Sequence, residues 1–506
     1  MSGGFLLDKL KKSPRRTKSV RRPPFSKGAF SGQDTGRFLV KKILFIITIL
    51  FSMQTEAADL IEVFRQALTS DPTFQQAISQ RLSTREGVPI NLAGLLPTIS
   101  AGLAAPNYNK FASSGPASGN VSGTQRGYDL NLNLTQTVFD FGKFAGLASA
   151  RALAKGADAT LSAATQNLMI RVAQAYFNVL KDQDNLVYIR STRTAYAKQL
   201  NQITQQYRVG LKTITDVYTA RASYETSVAN YIAADAQLAT DKENLRAITG
   251  ELYPSLARLR DDFPLVTPEP ADINEWVTLA GKQNWSVKSS QYQAESNRDI
   301  IKQQFAGHLP SVNVQAGYQN DYFAASGNTI FQTNGSSQTH TSTASVNFNF
   351  PILAGGLVVA QTDQAKYNYQ VALQQLEFQL RSTLTQTRQS YLNVVAGISK
   401  IAADKQSITS NISSLEGMQA GYRVGTEILV NVLNQQENVF EAEQQYAADR
   451  YAYVNNLLAL KQAAGTLNED DLAAINRWLS NDAKMYGQII DNEEYQPPKK
   501  MKRHKN

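Results

Sequence analysis

The residues best equipped for chemistry in this 506-residue chain are few and widely separated. There are three histidines, His308, His340 and His504, and no cysteine. Disulfides, thiol nucleophiles and thiolate metal sites are therefore excluded, and a histidine metal centre would need carboxylates from distant segments. Asp140-Phe141-Gly142 spells the magnesium-binding tripeptide of protein kinases. It comes without a glycine-rich loop, a strand lysine or an HRD loop, and it sits where a strand runs into a helix, so it reads as junction geometry. No GxxxxGK(S/T) phosphate loop occurs, and no nucleophile–base constellation stands out. The sequence thus predicts no enzyme, no catalytic residue, no cofactor and no metal.

What repeats instead is Tyr-Arg-Val-Gly, at Tyr207–Gly210 and again at Tyr422–Gly425. Other matches lie at nearly the same offset. Ala93–Pro97 aligns with Ala306–Pro310, Gly142 with Gly356, and Tyr176–Val179 with Tyr391–Val394. The series predicts a tandem duplication over 58–250 and 272–465, joined by a proline-bearing linker at 251–271. No proline occurs in 117–253 or 352–496, stretches rich in good helix formers. Apolar residues recur there in sevens, with Val172, Val179 and Leu186 on one seam and Ile189, Tyr196 and Ile203 on its neighbour. A helix from Lys143 to Arg208 would run ~100 Å at the standard rise, which suits a rod or a tunnel wall.

Four shorter stretches alternate with period two. Tyr128, Leu130, Leu132, Leu134 and Val138 share one face, against Asp129, Asn131, Asn133, Thr135 and Thr137 on the other. Ala344, Val346, Phe348, Phe350 and Ile352 form a second such face, while Ile99, Ala101 and Leu103, then Val312, Val314, Ala316 and Tyr318, begin two more. Apolar-out, polar-in alternation over about ten residues is the pattern of a membrane β-barrel strand. Tyr108, Phe111, Phe139, Phe141, Tyr322 and Phe323 fall where aromatic girdles would lie. Four strands cannot close a barrel, and an open edge in lipid leaves backbone groups unsatisfied at several kcal/mol each, so sister chains must complete the cylinder. Three chains give a barrel wide enough to leave a channel.

The net charge of +9 belongs to the front of the chain. Residues 1–42 hold 12 Lys/Arg and 2 Asp/Glu, which leaves 39 basic against 40 acidic residues elsewhere and no basic surface for nucleic acid. Lys41-Lys42 followed by Ile43–Phe51 and Thr55-Glu56-Ala57 reads as a secretory signal cleaved after Ala57, with translation expected to begin at Val40. Residues 1–57 are thus extension and signal, 466–490 a C-terminal segment, and 491–506 a basic tail.

On these residues the chain resembles the TolC-type outer-membrane efflux proteins. The resemblance is carried by the duplication, by AYFNVL (Ala175–Leu180), RVGLKTITDVYTARASYE (Arg208–Glu225), AGHLP (Ala306–Pro310), AGYRVGTEILVNVL (Ala420–Leu433) and AAGTLNEDDL (Ala463–Leu472). It implies a mixed α and β membrane protein in which each chain gives four strands, in pairs over 95–141 and 308–354, to a trimeric twelve-strand outer-membrane barrel. Long helical hairpins, 143–250 and 355–465, would form a periplasmic tunnel. The implied role is a passive exit duct for drugs, small molecules or unfolded proteins. Its implied partners are a periplasmic adaptor, an inner-membrane transporter of RND or ABC type, and outer-membrane lipid. The other classes weighed are an outer-membrane hydrolase and a trimeric coiled-coil adhesin or stalk; a stalk has no need of polar-lined strands.

By the same resemblance each Tyr-Arg-Val-Gly marks a hairpin turn at the periplasmic tip. Adaptor docking then falls to Arg208, Val209, Gly210 and Leu211, and to Arg423, Val424, Gly425 and Thr426. The gate positions are Asp216, Tyr422, Glu427, Asn431 and Asn434. Relatives carry an arginine where this chain has Glu427, and acids where it has Asn431 and Asn434, so the familiar ion pair and acidic ring are missing. The expectation is that a Tyr422–Asp216 hydrogen bond and coil packing hold the tip shut, with Arg423 available to Glu427 and Lys212 to Asp216.

Overall fold

The computed structural model describes residues 57–115, 119–328 and 335–480. The expected signal and basic tail lie outside these residues, as do the side chains of Tyr108, Phe111 and Phe323. The element order is the same in both halves. Helices α1 (Leu60–Ser70) and α2 (Pro72–Ala93) precede strands β1 (Thr98–Gly115) and β2 (Gly119–Phe139), then helices α3 (Phe141–Arg208) and α4 (Ile214–Thr249). After a short β3 (Arg258–Leu259) come α5 (Ile273–Gln283) and α6 (Trp285–Phe305), strands β4 (Ser311–Asn328) and β5 (Gly335–Asn349), then α7 (Leu357–Val424) and α8 (Leu429–Ala464). A final α9 (Glu469–Asn476) and β6 (Leu479–Ser480) close the described chain. The long helices have 68 residues each and their returning partners 36 each.

Each long helix is flanked in turn by two shorter ones. Against α3, α2 is tied by ion pairs from Arg81 to Asp158 and from Arg171 to Asp71, and α4 returns along the remainder. Pro89 stands inside α2, so the proline-free stretches predicted from the sequence do not mark every helix. Of the expected seam residues on α3, Val172, Val179, Tyr196 and Ile203 are buried and Leu186 and Ile189 half-buried; Val394, Ile401 and Ile408, spaced in sevens, form a buried seam on α7. Serine hydroxyls join the halves where α3 meets α6, with Ser149 and Ser296 2.8 Å apart.

The main core lies midway, around Tyr176 and Phe177 of α3 and Tyr453, Val454 and Leu458 of α8. The linker and the C-terminal segment are bound here. Tyr176 Oη donates to the carbonyls of Ala58 and Ala257, and Tyr453 Oη donates to Val266 O at 2.8 Å. Arg450 donates to the carbonyl of Arg260 at 2.7 Å and pairs with Asp261 at 2.9 Å. β3 pairs with β6, so both chain segments outside the repeats make one small sheet over this core.

The strands form one antiparallel sheet in the order β1-β2-β4-β5. Its register places Ile99 beside Leu134, Leu132 beside Tyr318, and Val314 beside Val346, so the apolar alternation of all four strands falls on one face. That face is open in the single chain; Ile99 is 73% exposed and Val346 70%. Asn131, Asn133, Asn313, Gln315 and Asn347 fall on the other. Tyr128 and Tyr322 stack at 5.1 Å at one end of the band, and Phe139 meets Phe144 at the other. The eleven steps of tilted strand from Tyr128 to Phe139 span ~25 Å, the height of an outer-membrane apolar belt. Among the described residues, β1 and β5 each have one side unpaired.

Candidate functional site

The two tips are built by one local device. At the end of α3, Leu211 N–H donates to Gln206 O and Gly210 N–H to Tyr207 O, both at 2.9 Å. At the end of α7, Thr426 N–H donates to Gly421 O at 2.9 Å and Gly425 N–H to Tyr422 O at 3.3 Å. This pair of bonds, one spanning six residues and one four, is the Schellman helix end, and its penultimate residue is left-handed. Gly210 has φ +79° and Gly425 φ +83°. A Cβ at either would meet open space, so conformation rather than packing demands glycine there. Tyr-Arg-Val-Gly is therefore a stop signal for a 68-residue helix, used twice.

Beyond the turns the repeats differ. Thr213 caps α4 in a reciprocal box: its hydroxyl accepts from Asp216 N–H at 3.2 Å, and Asp216 Oδ2 accepts from Thr213 N–H at 3.0 Å and from its hydroxyl at 2.9 Å. The Thr213 backbone N–H is the main cause holding the Asp216 carboxyl below its usual range, and Lys212 adds to it. The equivalent cap of α8, Ile428, offers no side-chain bond. Asn431, which occupies the place of Asp216, donates to Glu427 Oε2 at 2.9 Å.

The geometry corrects two expectations about the gate. Asp216 is committed to its own helix start, and among the described residues no hydrogen bond joins it to Tyr422. The Tyr422 hydroxyl is buried with no partner among the described residues. Arg423 and Glu427 make no ion pair. Four residues apart suggests one helix face, but α7 stops at Val424 and the Schellman turn folds Thr426 and Glu427 back onto Gly421. The structure brings Lys212 instead to Tyr422, with its Nζ 4.2 Å from the ring centroid. Behind them, Tyr196, Ile203, Val217, Ala220, Leu429 and Leu433 form an apolar cluster shared by both hairpins. Asn431 and Asn434 are exposed on α8, on the side away from buried Val432 and Leu433. At the tips, Val209, Leu211 and Val424 are each more than two-thirds exposed, and Arg208, Arg423 and Thr426 are exposed beside them.

Sequence reasoning missed two carboxyl pairs, each inside one hairpin. Asp182 of α3 meets Asp241 of α4, and Asp404 of α7 meets Asp449 of α8. Burial first, then the hydrogen bond with its partner, pushes Asp182 and Asp404 up to about 6. Burial works against Asp241 and Asp449 too, but hydrogen bonds from Asp182, Asn244 and Gln237 hold the one low, and Lys400, Gln445 and Asp404 the other. Each pair is therefore set to share one proton at mildly acid pH. The available signal was acids on the buried faces of helices otherwise patterned as coils. The described residues hold no cluster of His, Asp and Glu able to bind a metal.

Comparison with known proteins follows the same two-part division. The family model described as outer membrane efflux protein matches residues 63–251 and 276–466, one match per repeat. The outer membrane protein TolC of Escherichia coli strain K12 is 36% identical over 453 residues, covering 87% of this chain and 90% of that protein. The proteases secretion protein PrtF of Dickeya chrysanthemi is 25% identical over 446 residues, covering 86% of this chain and 95% of that protein. Among solved structures, the Campylobacter jejuni CmeC outer membrane channel superposes with a TM-score of 0.67 at 15% identity, covering 94% of this chain and 97% of that one. That likeness is one of fold.

Proposed function

Because this chain belongs to the outer membrane efflux protein family, we propose that it works as the outer-membrane exit duct of an efflux pump, a type I secretion system, or both. One observation carries the reading. A four-stranded sheet with one apolar face and two unpaired edges passes, across Asp140 alone on one side, into helices ~100 Å long. The sheet is stable in lipid only when its edges are paired, so the working form is a homotrimer with a twelve-strand barrel. The polar residues Asn131, Asn133, Gln315 and Asn347 line the conduit, and the helices continue it through the periplasm.

The tips serve two tasks. Exposed Val209, Leu211 and Val424, framed by Arg208, Arg423 and Thr426 and set by Gly210 and Gly425, are the surface for a periplasmic adaptor, which links the duct to an inner-membrane transporter of RND or ABC type. Asp216, Tyr422, Glu427, Asn431 and Asn434 surround the narrowest passage. The relatives named for a protease secretion system and for TolC support a duct whose cargo is chosen by the transporter upstream. Single-channel recording of the detergent-purified protein in a planar bilayer tests the reading; a protein that stays monomeric and adds no conductance overturns it. Crosslinking in cells, followed by purification, identifies the adaptor and transporter that accompany it.

A further inference from the structure

We propose that Lys212 is the latch of the resting tip: its ammonium, resting on the Tyr422 ring, ties the first hairpin of a protomer to the second. The inference rests on the duct reading only in calling the tip a gate. Lys212 stands in the turn between α3 and α4, and Tyr422 in the last turn of α7, so their 4.2 Å contact crosses between the hairpins. Tyr422 offers its face and not its hydroxyl, which has no partner among the described residues. Its ring also packs on the apolar cluster that both hairpins share, which keeps water from one side of the contact. A cation over a ring is attracted by the electron-rich face, and more strongly where water is partly excluded.

The surrounding groups leave Lys212 this task. Asp216, four residues on, is spent on the Thr213 cap. Glu427, the repeat equivalent of Lys212, is bonded to Asn431. Tyr207, the equivalent of Tyr422, is exposed. The duplication could have supplied the contact twice, but an acid now occupies the second position, so the latch runs in one direction only. Any motion that parts the hairpins at the tip must break it. Besides this contact the hairpins are held there by the apolar cluster and by Tyr196 Oη donating to Leu433 O at 3.4 Å.

The test uses the full-length protein in two readouts. Resting open occupancy in a planar bilayer is compared for Lys212→Met, Lys212→Arg, Tyr422→Leu and Tyr422→Phe. Lys212→Met keeps the stem and loses the charge; loss of the contact should raise open occupancy about fivefold per protomer, and roughly a hundredfold if three latches release together. Tyr422→Leu should do the same. Lys212→Arg, which restores a cation over the ring, and Tyr422→Phe, which keeps the ring, should open at least several-fold less than their partners. The chain has no cysteine, so Val209→Cys with Val424→Cys takes a spin-label pair on exposed sites of the two tips. Lys212→Met should lengthen that distance. An unchanged distance in a conducting protein, or Tyr422→Phe opening as far as Tyr422→Leu, overturns the latch. A lengthened distance in a protein that never conducts would sink the duct reading and leave the latch standing.

Discussion

Gly250 and Gly465 end the two returning helices and are repeat equivalents with nearly the same backbone, φ +78° and +76°. Their surroundings differ. A Cβ at Gly250 would lie 3.7 Å from Ser70 Cβ, an ordinary contact. A Cβ at Gly465 would lie 2.6 Å from Gln283 O and 2.8 Å from Asn284 Cα, backbone atoms of the α5–α6 junction. That junction is fixed from the other side, since Asn284 Nδ2 donates to Ala463 O at 3.0 Å. Gly250→Ala should therefore cost only the left-handed penalty, about 1–2 kcal/mol. Gly465→Ala adds overpacking against backbone, about 1–3 kcal/mol more, because no side chain can rotate away. Denaturant unfolding followed by tryptophan fluorescence is well placed, with Trp285 beside the junction. Equal losses in the two variants, within about 0.5 kcal/mol, would refute the argument that backbone contact sets the difference.

The shared-proton pairs predict a pH dependence. Asp182 and Asp404 sit near 6 in the fold, above their ordinary 3.8, so the folded chain holds extra protons in between and stability falls as pH rises through that window. The protein should melt at a higher temperature near about pH 5 than about pH 7.5, and Asp182→Asn with Asp404→Asn should remove most of that difference, on the order of 2 kcal/mol. Melting curves of parent and double variant at the two pH values check this. With amides at 431 and 434, multivalent cations should block the pore weakly; Asn431→Asp with Asn434→Asp should tighten block at least tenfold in single-channel titrations, by placing like charges at a constriction. Thr213→Ala should cost about 1 kcal/mol of local stability at the start of α4, read as faster hydrogen exchange there, with the start of α8 unchanged.

Much of the fold was legible because membrane and coil impose strict periods. Tyr128–Leu134 and Ala344–Phe348 alternate as strands with one face for lipid do, although the expected continuation through Phe350 and Ile352 falls past the end of β5 at Asn349; at the other end, at Ser336–Ser342, both faces are polar and the period vanishes, so the strand runs longer there than its pattern. Val172 and Val179 gave the seam of α3, whereas the same spacing at Val394, Ile401 and Ile408 of α7 went unread. The tips were legible as a repeated tetrapeptide, yet their contacts were not. Lys212 and Tyr422 are 210 residues apart, and nothing local says that one will lie over the other. Arg423 and Glu427 misled because helical spacing was assumed across a helix end. Thr213-Ile-Thr-Asp216 did carry a readable cap, and reading it would have freed Tyr422 from its expected partner.

The equality of 68 with 68 and 36 with 36 makes the hairpins act as matched legs. One residue inserted in a single leg would drop its foot by ~1.5 Å and swing everything past the insertion by ~100° around the axis. A platform resting on such feet would rock, and the seam above would face the wrong way. Composition can drift between the copies, as lysine against glutamate and threonine against isoleucine show. Length cannot, unless both legs are recut together, and whole heptads are the smallest cut that keeps every seam facing inward.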